Sequence, residues 1–214
     1  RGALPAARGT HFAAITDPLE LGGLLRAIEG YQGSHVVRCA MRLAPRLFVR
    51  PGELRRMEWT EVDLDAALWT IPGAKMKGGK DHLVPLARQS LEILRDLEPL
   101  TGRGRYAFPS PRTGERPMSE NGVLSALRRM GYSGAEVSGH GFRATARTLL
   151  DEKLGARVEW IELQLAHAVR GPLGDAYSRA TFIRERRKMM QRWSDYLDTL
   201  RDGAQVVPIE RAQR

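Results

Sequence analysis

"LDAALWTIPGAKMKGGKDHLVPL", residues 64–86, is where an otherwise helical chain changes texture. Trp69 and Ile71 alternate with Thr70, Leu83 and Val84 follow less cleanly, and Gly78-Gly79 lies between the two runs. Two apolar, strand-like runs around a Gly-Gly pair predict a β-hairpin. With that hairpin the fold class is α+β, mostly α-helical with one small antiparallel sheet, rather than all-α.

On either side of it the apolar period is helical. Asp17-Pro18-Leu19-Glu20 combines an N-cap, a proline at the first helical position and an acid three residues after the cap. Leu21, Leu24, Leu25 and Ile28 then keep the 3.6-residue spacing until Gly30 and Gly33. A second helix is expected over 34–47. A third opens at Pro51 in "PGELRRMEW", where Leu54 and Met57 share a face. Further helices are expected over 88–97, 119–130, 141–153, 158–165 and 184–200. "PLTGRGRYAFPSPRTGERP", residues 99–117, reads as a loop. There is no repeat and no second domain: residues 1–15 read as an arm or linker remnant, 16–202 as one domain, and 203–214 as a flexible tail. A start without Met suggests that the chain is cut from something longer.

Composition narrows the function classes. The 214 residues suffice for one good core. Lys and Arg number 34 against 25 acids, for a net charge of +9. Counterion release drives such a surface onto a phosphate backbone, which makes nucleic acid the favoured partner and an anionic membrane the lesser one. No apolar run approaches the length of a membrane span. Cys39 is the sole cysteine, which excludes an internal disulfide or a thiolate cluster and suits a reducing cytoplasm. A Gly-rich phosphate loop, the H-E-x-x-H of a zinc helix and the G-x-S-x-G of a hydrolase elbow are all missing.

What remains is a scattered set of anion-gripping groups. Arg50 in "FVRPGELRRMEW" stands directly before a helix N-terminus, whose free N–H groups already favour an anion. His140 and Arg143 in "HGFRATARTLL" fall one helical turn apart, so that both could hold one phosphate. His167 closes "LQLAH" at the rim of the core, and Tyr177 follows ten residues later in the polar segment "GDAYSRATF".

In this order, R-P-G-E-L, a hairpin lysine before "VPL", H-G-F-R, L-A-H and Tyr, the elements resemble the catalytic domain of tyrosine recombinases, the phage integrases, from about His11 to Leu200. The stretches "LFVRPGELR", "HGFRA" and "ERRKMMQ" are similar to those of prophage and genomic-island integrases. The resemblance implies the catalytic fold of that family and site-specific recombination without metal or cofactor, through a 3′-phosphotyrosyl intermediate. It implies Tyr177 as nucleophile, Arg50 and Arg143 on the phosphate, His140 as base, His167 as a phosphate hydrogen-bonder and Lys77 as the acid that protonates the leaving 5′-oxygen. Lys75 and Lys80 crowd the same turn as Lys77; all three, with Arg50 and Arg143, are expected DNA contacts. Double-stranded attachment sites are the implied partner, in the bacterial cytoplasm and on the nucleoid. A tetramer is implied for a full-length protein, and a monomer for this domain without the family's N-terminal DNA-binding domains. Two other readings stay open: a type IB topoisomerase, which shares the chemistry but relaxes supercoils, and a catalytically silent DNA-binding prophage remnant.

Overall fold

The computed structural model describes residues 13–167 and 182–203. Eight α-helices and a three-stranded antiparallel sheet surround one core among these residues. α1 (Pro18–Glu29) starts where Asp17 Oδ1 accepts from the N–H groups of Leu19 and Glu20, at 2.9 and 3.0 Å. Its Leu21, Leu24, Leu25 and Ile28 are buried, as the spacing requires. α2 (His35–Leu47) runs through the centre of the domain. It packs on α1, on α4 (Arg88–Thr101), on α5 (Gly122–Arg129) and on α6 (Gly141–Glu152), and also on the last helix, α8 (Ile183–Asp202). A Cβ at Gly22 would stand 2.5 Å from the carbonyl oxygen of Leu200, so glycine is what lets α1 lie so close to α8.

α3 (Pro51–Leu54) is shorter than the sequence pattern suggested. After Leu54 the chain is drawn across to 105–107: Trp59 N–H donates to the Arg105 carbonyl and Ala107 N–H to that of Met57. Leu54 and Met57 are both buried nonetheless. α4 extends past the expected end at 97 and carries Pro99 in its last turn. The helices expected over 141–153, 158–165 and 184–200 are α6, α7 (Val158–Gln164) and α8.

The hairpin is present as β2 (Leu68–Ile71) and β3 (His82–Pro85), with Trp69 opposite Val84. A two-residue strand, β1 (Val62–Asp63), adds a third edge that the sequence did not announce. The connection between β2 and β3 is not a tight turn on Gly78-Gly79. It spans 72–81 and folds back on itself, with Gly73 N–H donating to Asp81 Oδ1 at 2.8 Å. A Cβ at Gly73 would come 2.6 Å from the carbonyl oxygen of Gly79.

Residues 13–15 belong to the body of the domain, not to an arm. Ile15 is buried, its carbonyl accepts from Thr145 Oγ1 at 2.8 Å, and Ser138 N–H donates to the Ala13 carbonyl at 3.2 Å. The rest of the expected arm and all but the first residue of the expected tail lie outside the described residues, as does Tyr177. No described helix is long and apolar enough to cross a membrane.

Candidate functional site

Three helix ends converge on one spot. α2 stops at Phe48, a non-glycine residue in the left-handed region at φ 39°. The strain is held by packing: Phe48 is fully buried and meets Trp193 edge-on, with ring centroids 6.3 Å apart. Two residues on, Arg50 caps α3. Glu53, 4% exposed at its side chain, accepts from the Arg50 N–H at 2.9 Å and from Arg50 Nη1 at 2.8 Å. The sequence places Arg50 at a helix start, whereas the role of Glu53 beneath it emerges only in the fold. The signal available was an acid at the N3 position.

α7 ends in a Schellman motif. Ala166 N–H donates to the Leu163 carbonyl and His167 N–H to the Glu162 carbonyl. The residue that makes the reversal is Ala166, at φ 53°, where glycine is the usual occupant. This reversal is what carries His167 out of the apolar helix to the rim, 47% exposed at its side chain.

α6 supplies the third group. His140 is its N-cap and Arg143 lies one turn inside, as the spacing predicted. The helix start is pressed against the 13–15 segment: a Cβ at Gly141 would overlap the Ala13 carbonyl oxygen. Gly139 sits as tightly on Pro51, 3.0 Å from a built Cβ to Cγ, which interlocks the "SGHG" and "RPG" turns.

Arg143 is the hub. Its Nη1 donates to the Phe48 carbonyl at 3.0 Å, and its Nη2 donates to the Leu165 carbonyl at 2.8 Å and to His167 Nε2 at 3.1 Å. It therefore sits at the carbonyl ends of α2 and α7 together, where helix dipoles favour a cation. Among the described residues three of its five N–H donors are committed in this way. Burial, and then the like charge of Arg50, pull the guanidinium down to about 10, still protonated at neutral pH. Partial burial, then Arg143 and Arg50, lower the His140 imidazole below its ordinary value. The shift favours the neutral ring, the form that can accept a proton. Two like-charged guanidiniums, one of them paired with Glu53, thus face an imidazole whose protonated form they disfavour.

The expected lysines divide. Lys75 turns inward and pairs with Glu58 at 2.5 Å and with Glu61. Lys77 and Lys80 are exposed on the 72–81 connection. Among the described residues no hydrogen bond or ion pair links Lys77 to Arg50, His140, Arg143 or His167, so of the five expected groups that lie among them the structure brings four together. It also reveals a support the sequence did not flag. Buried Arg186 of α8 donates to the Leu83 carbonyl at 2.5 Å and to Gln164 Oε1 at 2.6 Å, while buried His82 Nε2 donates to the Gln164 carbonyl at 3.1 Å. These bonds tie the hairpin to the end of α7.

Among the described residues one trio has metal-ligand spacing, His35, Cys39 and Asp96. Arg38 donates to His35 Nδ1 at 3.1 Å, so Nε2 carries the hydrogen that Asp96 accepts at 3.1 Å. The trio satisfies itself and shares no residue with the arginine site.

Comparison with known proteins gives a consistent picture. The model of the phage integrase family matches residues 16–194. The integrase of Enterobacteria phage P4 is 38% identical over 215 residues, covering 94% of this chain and 49% of that protein. Among solved structures, an integrase from mycobacterium phage Brujita superposes with a TM-score of 0.62 at 19% identity, covering 94% of this chain and 64% of that one. A lambda integrase dimer bound to a COC′ core site gives 0.57 at 20% identity, covering 97% and 53%. At these identities the structures speak for the fold alone. The chain spans about half the length of the curated relatives it matches.

Proposed function

Because the chain belongs to the phage integrase family, we propose that it is the strand-cleaving domain of a site-specific recombinase, acting on attachment sites in double-stranded DNA through a covalent phosphotyrosyl intermediate. The observation that carries this reading is Arg143. One guanidinium is fixed by two helix ends and by His167, beside a second guanidinium held by Glu53.

The chemistry follows from that charge. Cleavage of a phosphodiester develops negative charge on the non-bridging oxygens of a pentacoordinate transition state. Preorganised guanidiniums neutralise it with forked donors that a lysine ammonium does not reproduce. Tyr177 lies outside the described residues and is proposed as the nucleophile by its position in the family pattern. Its oxygen attacks phosphorus, the bond to the 5′-oxygen breaks, and the 3′-phosphate is left on the tyrosine. A phenol with an ordinary pKa of about 10 needs a base, and the neutral imidazole of His140 suits that role. The departing 5′-oxygen takes a proton, for which exposed Lys77 is the better candidate than Lys75, whose ammonium is occupied by Glu58 and Glu61. The covalent link conserves the phosphodiester, so rejoining by a 5′-hydroxyl reverses the same steps.

Assembly into a tetramer on DNA, which distinguishes recombination from supercoil relaxation, is part of the proposal. So is action on the bacterial chromosome. A nicked duplex that loses its short 5′-hydroxyl fragment after cleavage tests the reading. We expect a denaturation-resistant protein–DNA adduct with the unaltered chain and none with Tyr177→Phe, which should still bind the duplex. An adduct from the phenylalanine variant would move the nucleophile elsewhere. No adduct from either, with DNA binding intact, would favour a silent DNA-binding domain.

A further inference from the structure

Residues C3 and C″ of a Schellman motif sit side by side, and the pair is ordinarily apolar. At the end of α7 those positions hold Glu162 and His167, and Glu162 Oε2 meets His167 Nδ1 at 2.6 Å. On the other face of the same ring, Nε2 meets Arg143 Nη2 at 3.1 Å. A guanidinium has donors only, so Nε2 must accept and the hydrogen must sit on Nδ1. The carboxylate of Glu162 accepts it.

Glu162 is in turn fixed. Its Oε1 accepts from Arg147 Nε at 2.7 Å, and Arg147 Nη1 donates to Asp151 Oδ2 at 2.8 Å. Arg147 is one helical turn beyond Arg143 on α6. The result is a continuous chain of polar contacts from Asp151 through Arg147, Glu162 and His167 to Arg143. It runs from the half-buried Asp151 on the flank of the domain to Arg143.

We propose that Glu162 is a positioning residue for the phosphate-gripping Arg143: it locks His167 in the Nδ1–H tautomer so that Nε2 accepts from the Arg143 guanidinium and holds it in its forked orientation. The inference rests on the reading of Arg143 as a phosphate-binding group, with His167 orienting that arginine instead of donating to the phosphate as the family resemblance implied; its geometric core does not depend on catalysis. Without the carboxylate, an imidazole in the commoner Nε2–H form would face Arg143 donor to donor. One of the two side chains would then have to turn away. Partners that orient a metal-bound histidine from behind typically contribute about 10–100-fold to its performance, and an effect of the same order is expected here.

Two measurements separate this role from a merely structural one. Nitrogen-15 NMR of the histidine-labelled, otherwise unaltered 214-residue chain should show His167, assigned by loss of its signals in His167→Ala, as the Nδ1–H tautomer. In Glu162→Gln the single amide oxygen cannot serve both Arg147 and His167, and the His167 signals should shift toward the Nε2–H form. An Nε2–H ring in the unaltered chain, or a tautomer indifferent to Glu162→Gln, would overturn the proposal. Single-turnover cleavage of the nicked duplex should fall about 10–100-fold in Glu162→Ala, with thermal unfolding little changed. The same substitution in a His167→Ala background should cost nothing more, because the two act as one unit. An equal loss in both backgrounds would mean that Glu162 acts by another route. If the unaltered chain forms no adduct at all, the cleavage reading fails, while the tautomer measurement still decides the role of Glu162.

Discussion

The Arg143 guanidinium donates to the main-chain carbonyl of Phe48 at 3.0 Å, two residues before Arg50. The bond joins α6 to the turn that carries the other arginine, nearly a hundred residues away in sequence. Each arginine is thus placed by backbone as well as by side chains: Arg50 by the start of α3, Arg143 by the carbonyl ends of α2 and α7.

Arg143→Lys should therefore be a severe substitution despite keeping the charge. One ammonium cannot span the Phe48 and Leu165 carbonyls, His167 and a phosphate. Single-turnover cleavage is expected to fall about 10²–10³-fold, with duplex affinity changed far less. A lysine variant within a few-fold of the parent rate would reduce Arg143 to a general surface cation.

Charge neutralisation by guanidiniums needs no divalent ion. Adduct formation on the nicked duplex is expected to proceed unchanged in excess EDTA. Loss of the adduct on chelation, with recovery on adding magnesium, would require a different account of the transition state.

Ala166 pays for the reversal that delivers His167, since a non-glycine residue at φ 53° is strained. Ala166→Gly should relieve that strain, partly offset by the greater freedom of glycine in the unfolded chain, for a net gain of about 0.5–1 kcal/mol. Urea denaturation at pH 7 measures it. A destabilised glycine variant would mean that the Ala166 methyl contributes more by packing than the strain costs.

Buried His82 makes folding sensitive to acid. Burial first, then the charge of Arg186, hold its imidazole down to about 3, against 6.5 for an ordinary histidine. Between those values the unfolded chain takes up a proton that the folded chain refuses, so stability is full above pH 6.5 and declines as the pH falls toward 3. Denaturation midpoints should drop over that window. His82→Leu should be less stable at pH 7, because the Gln164 carbonyl loses its donor, yet show a shallower acid slope. Parallel slopes for the two proteins would assign the acid sensitivity to other groups.

Much of this was legible in the chain itself. The cap at Asp17, the helix-opening proline at Pro51, the apolar period of α1, the strand texture around Trp69 and the helix spacing of His140 and Arg143 are all local signals. Each depends on residues a few positions apart, so each survives reading one segment at a time. The order of the motifs added the family, and with it the expectation that distant arginines and histidines meet.

Tertiary structure alone decided how they meet. Nothing near Lys75 in sequence reveals that Glu58 and Glu61 capture its ammonium while Lys77 stays exposed. Local patterning likewise does not disclose that α3 stops at Leu54, because the strand-like pull comes from Arg105 and Ala107 some fifty residues later. The orientation of His167 is set from two sides, by Glu162 in the preceding helix and by Arg143 in another. Propensity and periodicity report which face of an element is buried. Hydrogen-bond direction between elements depends on where their ends arrive, and only the packed core around α2 and α8 fixes that.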